Sequence, residues 1–125
     1  MLLIRNQIDH QANWSQDRHQ QFLKSCESYI ADLKKNGNLI AAQPLVREGK
    51  IVSGNAGTWL ETPLNEQREV QVGYYHIIAK DLEEATAIAK RNPEFEFSAT
   101  ARIEVRPVKM KEQTTGFVYP KMPSE

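Results

Sequence analysis

The order in which the hydrophobic period switches along this chain narrows its fold more than any other feature. Two stretches carry an apolar stripe at helical spacing, and each lies between runs that favour extended backbone. In the first, Phe22, Cys26, Tyr29, Ile30 and Leu33 recur at steps of four, three, one and three, which sets them on one helical face. Asn13 with Gln16 three residues on makes a capping box, and Ser15 competes as N-cap. Lys34 and Lys35 suit the negative end of the helix dipole, and Asn36-Gly37 ends the helix. In the second, Leu82, Ala85, Ile88 and Ala89 share a face behind Asp81, which pairs with Glu84 as a variant capping box; Asn92-Pro93 stops it.

The extended runs surround these helices. Residues 2–5 form a short β-prone run. Residues 39–46 read as a mostly buried strand interrupted at Gln43-Pro44, which predicts an edge position or a bulge. Glu48-Gly49 reads as a hairpin turn with residues 50–52 as its short return, residues 53–57 as a flexible loop and 58–67 as an irregular connection. Residues 70–79 are the strongest strand and 101–108 the last. The order β-α-β-(small hairpin)-β-α-β predicts an α+β fold: a four-stranded antiparallel sheet with two helices on one face, the ferredoxin-like βαββαβ arrangement. A domain over residues 1–108 and a C-terminal tail over 109–125 follow, the tail polar apart from residues 117–119. The helices cover one sheet face only, so the other meets water or a partner.

Charge and cysteine usage exclude several functions. Sixteen Lys and Arg balance sixteen Asp and Glu, and no stretch concentrates either sign, so a nucleic-acid partner is not expected. The longest apolar run, Met1 to Ile4, is far short of the ~20 residues that span a bilayer, and it has neither the basic flank nor the cleavage site of a secretion signal. Cys26 is the one cysteine and forms no internal disulfide, so a cytoplasmic protein is expected.

Four segments resemble the YCII-related family: Gly73-Tyr74-Tyr75, residues 81–85, Asn92-Pro93, and the closing Ile103-Glu104-Val105-Arg106-Pro107-Val108. The resemblance is to the branch named after a DGPF motif. In that branch an Arg-Asp-Gly-Lys hairpin precedes the motif, and Arg47-Glu48-Gly49-Lys50 stands in its place here. The motif itself falls on Glu61-Thr62-Pro63-Leu64 and keeps only the proline. The resemblance covers residues 1–108. It implies a ferredoxin-like fold and pairing through open sheet faces into a dimeric α+β barrel. Relatives in the wider superfamily include dehydrochlorinases, muconolactone isomerases and cofactor-free oxygenases. It also implies a catalytic histidine eleven residues before the glycine that ends the first helix; counting back from Gly37 meets Cys26 instead, so that mechanism does not carry over.

Strand alternation assigns faces. Tyr75, Ile77, Ala79, Ile103, Val105, Leu2 and Ile4 form the apolar set expected under the helices. Tyr74, His76, Ile78, Arg102, Glu104, Arg106 and Arg5 then turn to the open face. With the first and third strands central and the fourth beside the first, Arg5, Tyr74, His76, Glu104 and Arg106 can cluster there. Two uses fit: a salt-bridge network holding a homodimer, or a ligand-binding pocket for anion or acid–base chemistry, with His76 as the candidate catalytic base because histidine titrates near neutrality. His10 and His19, at the polar start of the first helix, have no cysteine or carboxylate at ligand spacing, so no metal and no cofactor are expected. Cys26, on the apolar stripe, reads as a small hydrophobe rather than a nucleophile. Gly54 and Gly57 belong to no phosphate-binding loop; Trp14 and Trp59 are rim residues or packing residues. The expected function is small-molecule binding in a pocket between the sheet face and the first helix of a homodimer; the alternative is a regulatory or interaction module without ligand. Whether the chain is an enzyme stays open.

Overall fold

Alternation in the first strand organises the sheet. In the computed structural model, which describes residues 1–119, β1 (Leu2–Gln7) buries Leu2, Ile4 and Asn6 and turns Leu3, Arg5 and Gln7 the other way. It pairs antiparallel with β5 (Glu69–Ile77) on one side and β6 (Arg102–Val105) on the other. β2 (Leu39–Pro44) pairs antiparallel with the far side of β5, so the sheet order is β2-β5-β1-β6. The fold is α+β and ferredoxin-like, with β1 and β5 central. Pro44 ends an edge strand, where its missing N–H leaves no ladder bond unmade.

α1 (Gln16–Lys35) begins where Ser15, in extended conformation, accepts the Arg18 N–H on its hydroxyl at 3.1 Å; Ser15, not Asn13, is the cap. α2 (Leu82–Lys90) is capped by Asp81, which accepts the Glu84 N–H at 2.8 Å, while Glu84 reaches back to the Lys80 N–H at 2.9 Å. A one-turn helix, α3 (Glu94–Phe97), follows Pro93 directly where the sequence predicts only a stop. Leu2, Ile4, Tyr29, Leu33, Val70, Val72, Ile88 and Ala89 form the core. Leu33 is 1% exposed, and truncating such a leucine to alanine costs about 2–5 kcal/mol. The Tyr29 hydroxyl donates to the Ile88 carbonyl at 2.7 Å and so ties α1 to α2.

Two expectations need correction. Strict alternation along β5 fails because the register with β1 shifts between Ile4 and Arg5, which face Gly73 and Gln71. The bulge brings Val72 and Val70 into the same core that receives Tyr75. The region after β2 also differs. Glu48-Gly49 does not fold residues 50–52 back on β2; instead β3 (Lys50–Asn55) and β4 (Thr58–Pro63) form a separate two-stranded sheet around Ala56-Gly57. Almost every residue of it is exposed, so neither strand shows the half-buried alternation that marks strands in sequence. Gly54 is required there: its φ is +118°, and a Cβ would stand 2.1 Å from the Thr58 carbonyl oxygen. A 3₁₀ turn (Leu64–Glu66) leads back, with the Leu64 N–H donating to the Gly49 carbonyl at 2.9 Å.

Of the expected tail, Lys111 and Val118 form an isolated antiparallel bridge, and residues 120–125 lie outside the described residues. No described helix is long and apolar enough to cross a membrane.

Candidate functional site

Between α1 and the edge where β2 meets β5 lies a cavity of about 320 Å³. Its walls are apolar, with Phe22, Leu23 and Ile30 from α1 facing Ile4, Ala42 and Val72 from the sheet. Gly73 keeps the strands close at its floor: a Cβ there would meet the Gln43 carbonyl oxygen at 3.0 Å. Cys26 also lines it. Burial, and then the charge of Glu94, pushes the Cys26 thiol up to about 11, so it stays a protonated, poorly nucleophilic wall group.

One end of the cavity is polar, and three segments build it. The first is the run between β1 and α1. Successive turns (His10 N–H to Gln7, Ala12 N–H to Asp9, Trp14 N–H to Gln11) fold it tightly. Trp14 anchors it, its ring centroid 5.3 Å from Phe22 and 5.9 Å from Phe97. The Arg18 guanidinium stacks 5.3 Å from the centre of Trp14 and 5.0 Å from that of Phe97, and donates to the Phe97 carbonyl at 2.9 Å. Trp14 therefore packs, whereas Trp59 stands on the exposed β3–β4 hairpin. The anchored run holds the His10 side chain at 2% exposure.

The second segment joins α2 to α3. Asn92 accepts the Glu94 N–H on its side-chain oxygen at 2.9 Å, which starts α3 and aims the Glu94 carboxylate inward. Glu94 Oε1 accepts from Asn6 Nδ2 at 3.3 Å and lies 3.5 Å from His10 Nε2. Asn6 is fully buried, and its side-chain oxygen accepts the Thr100 hydroxyl at 2.6 Å. The third segment follows β2 and supplies Arg47, whose Nη1 donates to the Leu45 carbonyl at 2.8 Å and whose Nη2 lies 3.3 Å from His10 Nδ1. Burial lowers the Arg47 pKa, and the Glu94 charge works against that shift. Tyr75 closes the site from β5. Burial first, then the neighbouring Cys26, Tyr29 and Glu94, push its phenol upward, so it remains a proton donor.

None of the five residues expected to cluster on the open face lines this cavity. Tyr74 and Glu104 do lie on one row, each beside Leu3. His76 and Arg106 both line a second cavity of about 580 Å³, with Met1, Ile40 and Val108. Burial and then the N-terminal ammonium lower the His76 pKa, and its Nδ1 is buried without a partner among the described residues. Arg5 pairs with Glu69 at 2.9 Å, not with Glu104; Arg102 grips the same carboxylate at 2.6 and 2.8 Å. Among the described residues no group of three or more His, Cys, Asp and Glu is placed to hold a metal.

His10, Arg47, Asn92 and Glu94 escape sequence reasoning as a set. Asn92 reads only as a helix stop and His10 as part of a polar run without period. The one available signal is a carboxylate directly after the Asn92-Pro93 stop, where a helix would otherwise begin in solvent.

The profile of the family described as the YCII-related domain matches residues 1–110. No curated protein matches the chain.

Proposed function

The chain belongs to the YCII-related family, and from that premise we propose a small-molecule-binding protein whose ligand occupies the cavity between α1 and the helix-covered sheet face. The observation that carries this reading is the pairing of apolar walls with a polar end where Asn92 Nδ2 is buried without a partner among the described residues and Arg47 and Glu94 also line the cavity. A ligand site has that composition, whereas a cavity left by imperfect packing is lined by apolar groups. We further propose a cytoplasmic homodimer of the DGPF-motif branch, paired through the sheet face that no helix covers. Leu3 and Tyr74 are half-buried there, and Arg5, His76, Glu104 and Arg106 are the polar groups such pairing would draw in as interface or ligand contacts. A second reading, an interaction module, is favoured by one observation: Val52, Trp59 and Leu60 on the β3–β4 hairpin are each more than 60% exposed.

The test is a screen of small carboxylic acids, alcohols and amines by amide chemical shifts. Shifts gathered in α1, β2 and β5, and lost when Ala42→Phe fills the cavity, are expected. A screen that moves only hairpin amides, or none, would replace the pocket reading with the interaction module.

A further inference from the structure

Three polar groups reach the cavity with bonding capacity unspent. Asn92 Nδ2 is buried and makes no hydrogen bond among the described residues. Glu94 uses Oε1 for Asn6, and Oε2 has no described partner. Among the described residues Arg47 bonds only the Leu45 carbonyl and the His10 ring, so its guanidinium carries a charge that no described carboxylate pairs. Each such group is costly to leave unmet in a partly dry site.

The contacts of His10 assign its tautomer. Its Nδ1 lies between an acceptor, the Gln7 carbonyl at 3.1 Å, and a donor, Arg47 Nη2 at 3.3 Å. The Gln7 carbonyl already receives the His10 backbone N–H, whereas Arg47 can only donate. With Arg47 donating to it, Nδ1 serves as the acceptor and Nε2 is the ring nitrogen that faces Glu94 Oε1 at 3.5 Å. That separation exceeds a made hydrogen bond.

We propose that Glu94 is a proton-transfer base acting on a small carboxylate that also carries a ketone, and that His10 is the positioning residue behind it. The proposal rests on the cavity reading above. The ligand carboxylate pairs with Arg47, and the ketone oxygen takes the Asn92 amide and the Tyr75 hydroxyl. The carbon beside the ketone then faces Glu94 Oε2. That oxygen removes a proton from the carbon. The C–H electron pair becomes the carbon–carbon double bond of an enolate, and the carbonyl pair moves onto oxygen, where two donors stabilise it. The Glu94 carboxyl exchanges its proton with solvent and delivers a solvent hydron back to the carbon as the enolate collapses to the ketone, so nothing is oxidised and water is the sole source of the new hydron. The charged and titratable groups that face Glu94 or line the cavity with it are His10 and Arg47 from the flanking loops, His19 and Cys26 from α1 and Tyr75 from β5.

The probe is 2-oxobutyrate in D2O, whose C3 protons exchange when this step operates. Proton NMR reads the exchange, and amide shifts read binding. The wild-type chain is expected to bind 2-oxobutyrate at α1, β2 and β5 and to speed C3 exchange. E94Q is expected to keep that binding and a folded spectrum while losing ~10²–10⁴-fold of the exchange rate. H10N is expected to lower the rate at saturating probe with half-saturation unchanged, and to move the acidic limb of the rate–pH profile, which loss of packing would not do. Binding without exchange, or exchange that survives E94Q, overturns the proton-transfer assignment and leaves the cavity reading standing. Absence of 2-oxobutyrate binding, while another acid, alcohol or amine shifts the α1, β2 and β5 amides, overturns the proposal alone; absence of any binding overturns both.

Discussion

Asn6 and Glu94, 88 residues apart in sequence, are joined by a buried hydrogen bond of 3.3 Å from the amide to the carboxylate. The bond couples β1 to the first residue of α3 and places a polar group of the sheet's inner face at the back of the cavity. Asn6 also receives the Thr100 hydroxyl and the Gln7 N–H, so one side chain satisfies groups from three segments. Asn6→Leu, near in volume but without these bonds, is expected to cost about 1–3 kcal/mol for each buried group it leaves unpaired. Urea unfolding checks this, and a midpoint equal to that of the wild type would mean the network contributes nothing.

Periodicity explains how much of this was legible beforehand. The helix stripe from Phe22 to Leu33, the Asp81 cap and the β1 alternation each depend on neighbours within a few residues, and each reads correctly. The β3–β4 hairpin does not, because a strand exposed on both faces has no pattern to display. The bulge at Val72 is equally silent, since it is a property of the pairing with β1. His10 and Glu94 are brought together by the packing of Trp14 on Phe97 and by the Asn92 turn, contacts that no local spacing encodes.

Glu69 gives the fold a defined acid sensitivity. Hydrogen bonds from Arg102 and then Arg5 hold its carboxyl down at about 2 in the folded chain, against an ordinary value near 4.5. A group depressed in this way stabilises the fold above its unfolded pKa, and that stability is lost as pH falls through the folded value. Melting temperatures of wild type and Glu69→Gln are therefore expected to differ at pH 7, to converge between about pH 5 and pH 2, and to differ less in high salt because the site is partly exposed. Parallel curves across that range would remove the assignment.

Cys26 should be a slow thiol. With its pKa pushed to about 11, roughly one thiol in a thousand is ionised near pH 8, so iodoacetamide is expected to label the folded protein far more slowly than the urea-unfolded chain. The folded rate should rise about tenfold per pH unit and level off only above about pH 11, where the unfolded chain's rate is already flat. Equal rates in the two states at pH 8 would place the thiol in water rather than on the cavity wall.

Gly73 tests whether the floor of the cavity needs a bare backbone. Gly73→Ala places a methyl 3.0 Å from the Gln43 carbonyl oxygen and 3.4 Å from Pro44 Cα, so β2 must move outward. Forcing extra volume into a packed contact costs about 1–3 kcal/mol. Hydrogen exchange is expected to show the loss in β2 amides first, since β2 is the edge strand and β1 stays clamped between β5 and β6. Uniform loss across the sheet would show that the strain does not stay at the edge.

The uncovered sheet face separates assembly from the cavity. Leu3 lies between Tyr74 and Glu104, so a charge introduced beside that row would be buried if two copies pair there. Desolvating an unpaired carboxylate costs several kcal/mol, enough to split a dimer of ordinary affinity. Tyr74→Glu is therefore expected to shift sedimentation from dimer to monomer while leaving the amide spectrum of α1 intact, because the α1 side of the sheet is untouched. His76→Ala and Arg106→Ala, at the end of the same face, discriminate further: loss of the dimer in the histidine variant assigns His76 to the interface, and an intact dimer leaves it to the second cavity. A wild-type chain that sediments as a monomer at high micromolar concentration would show that this face meets water.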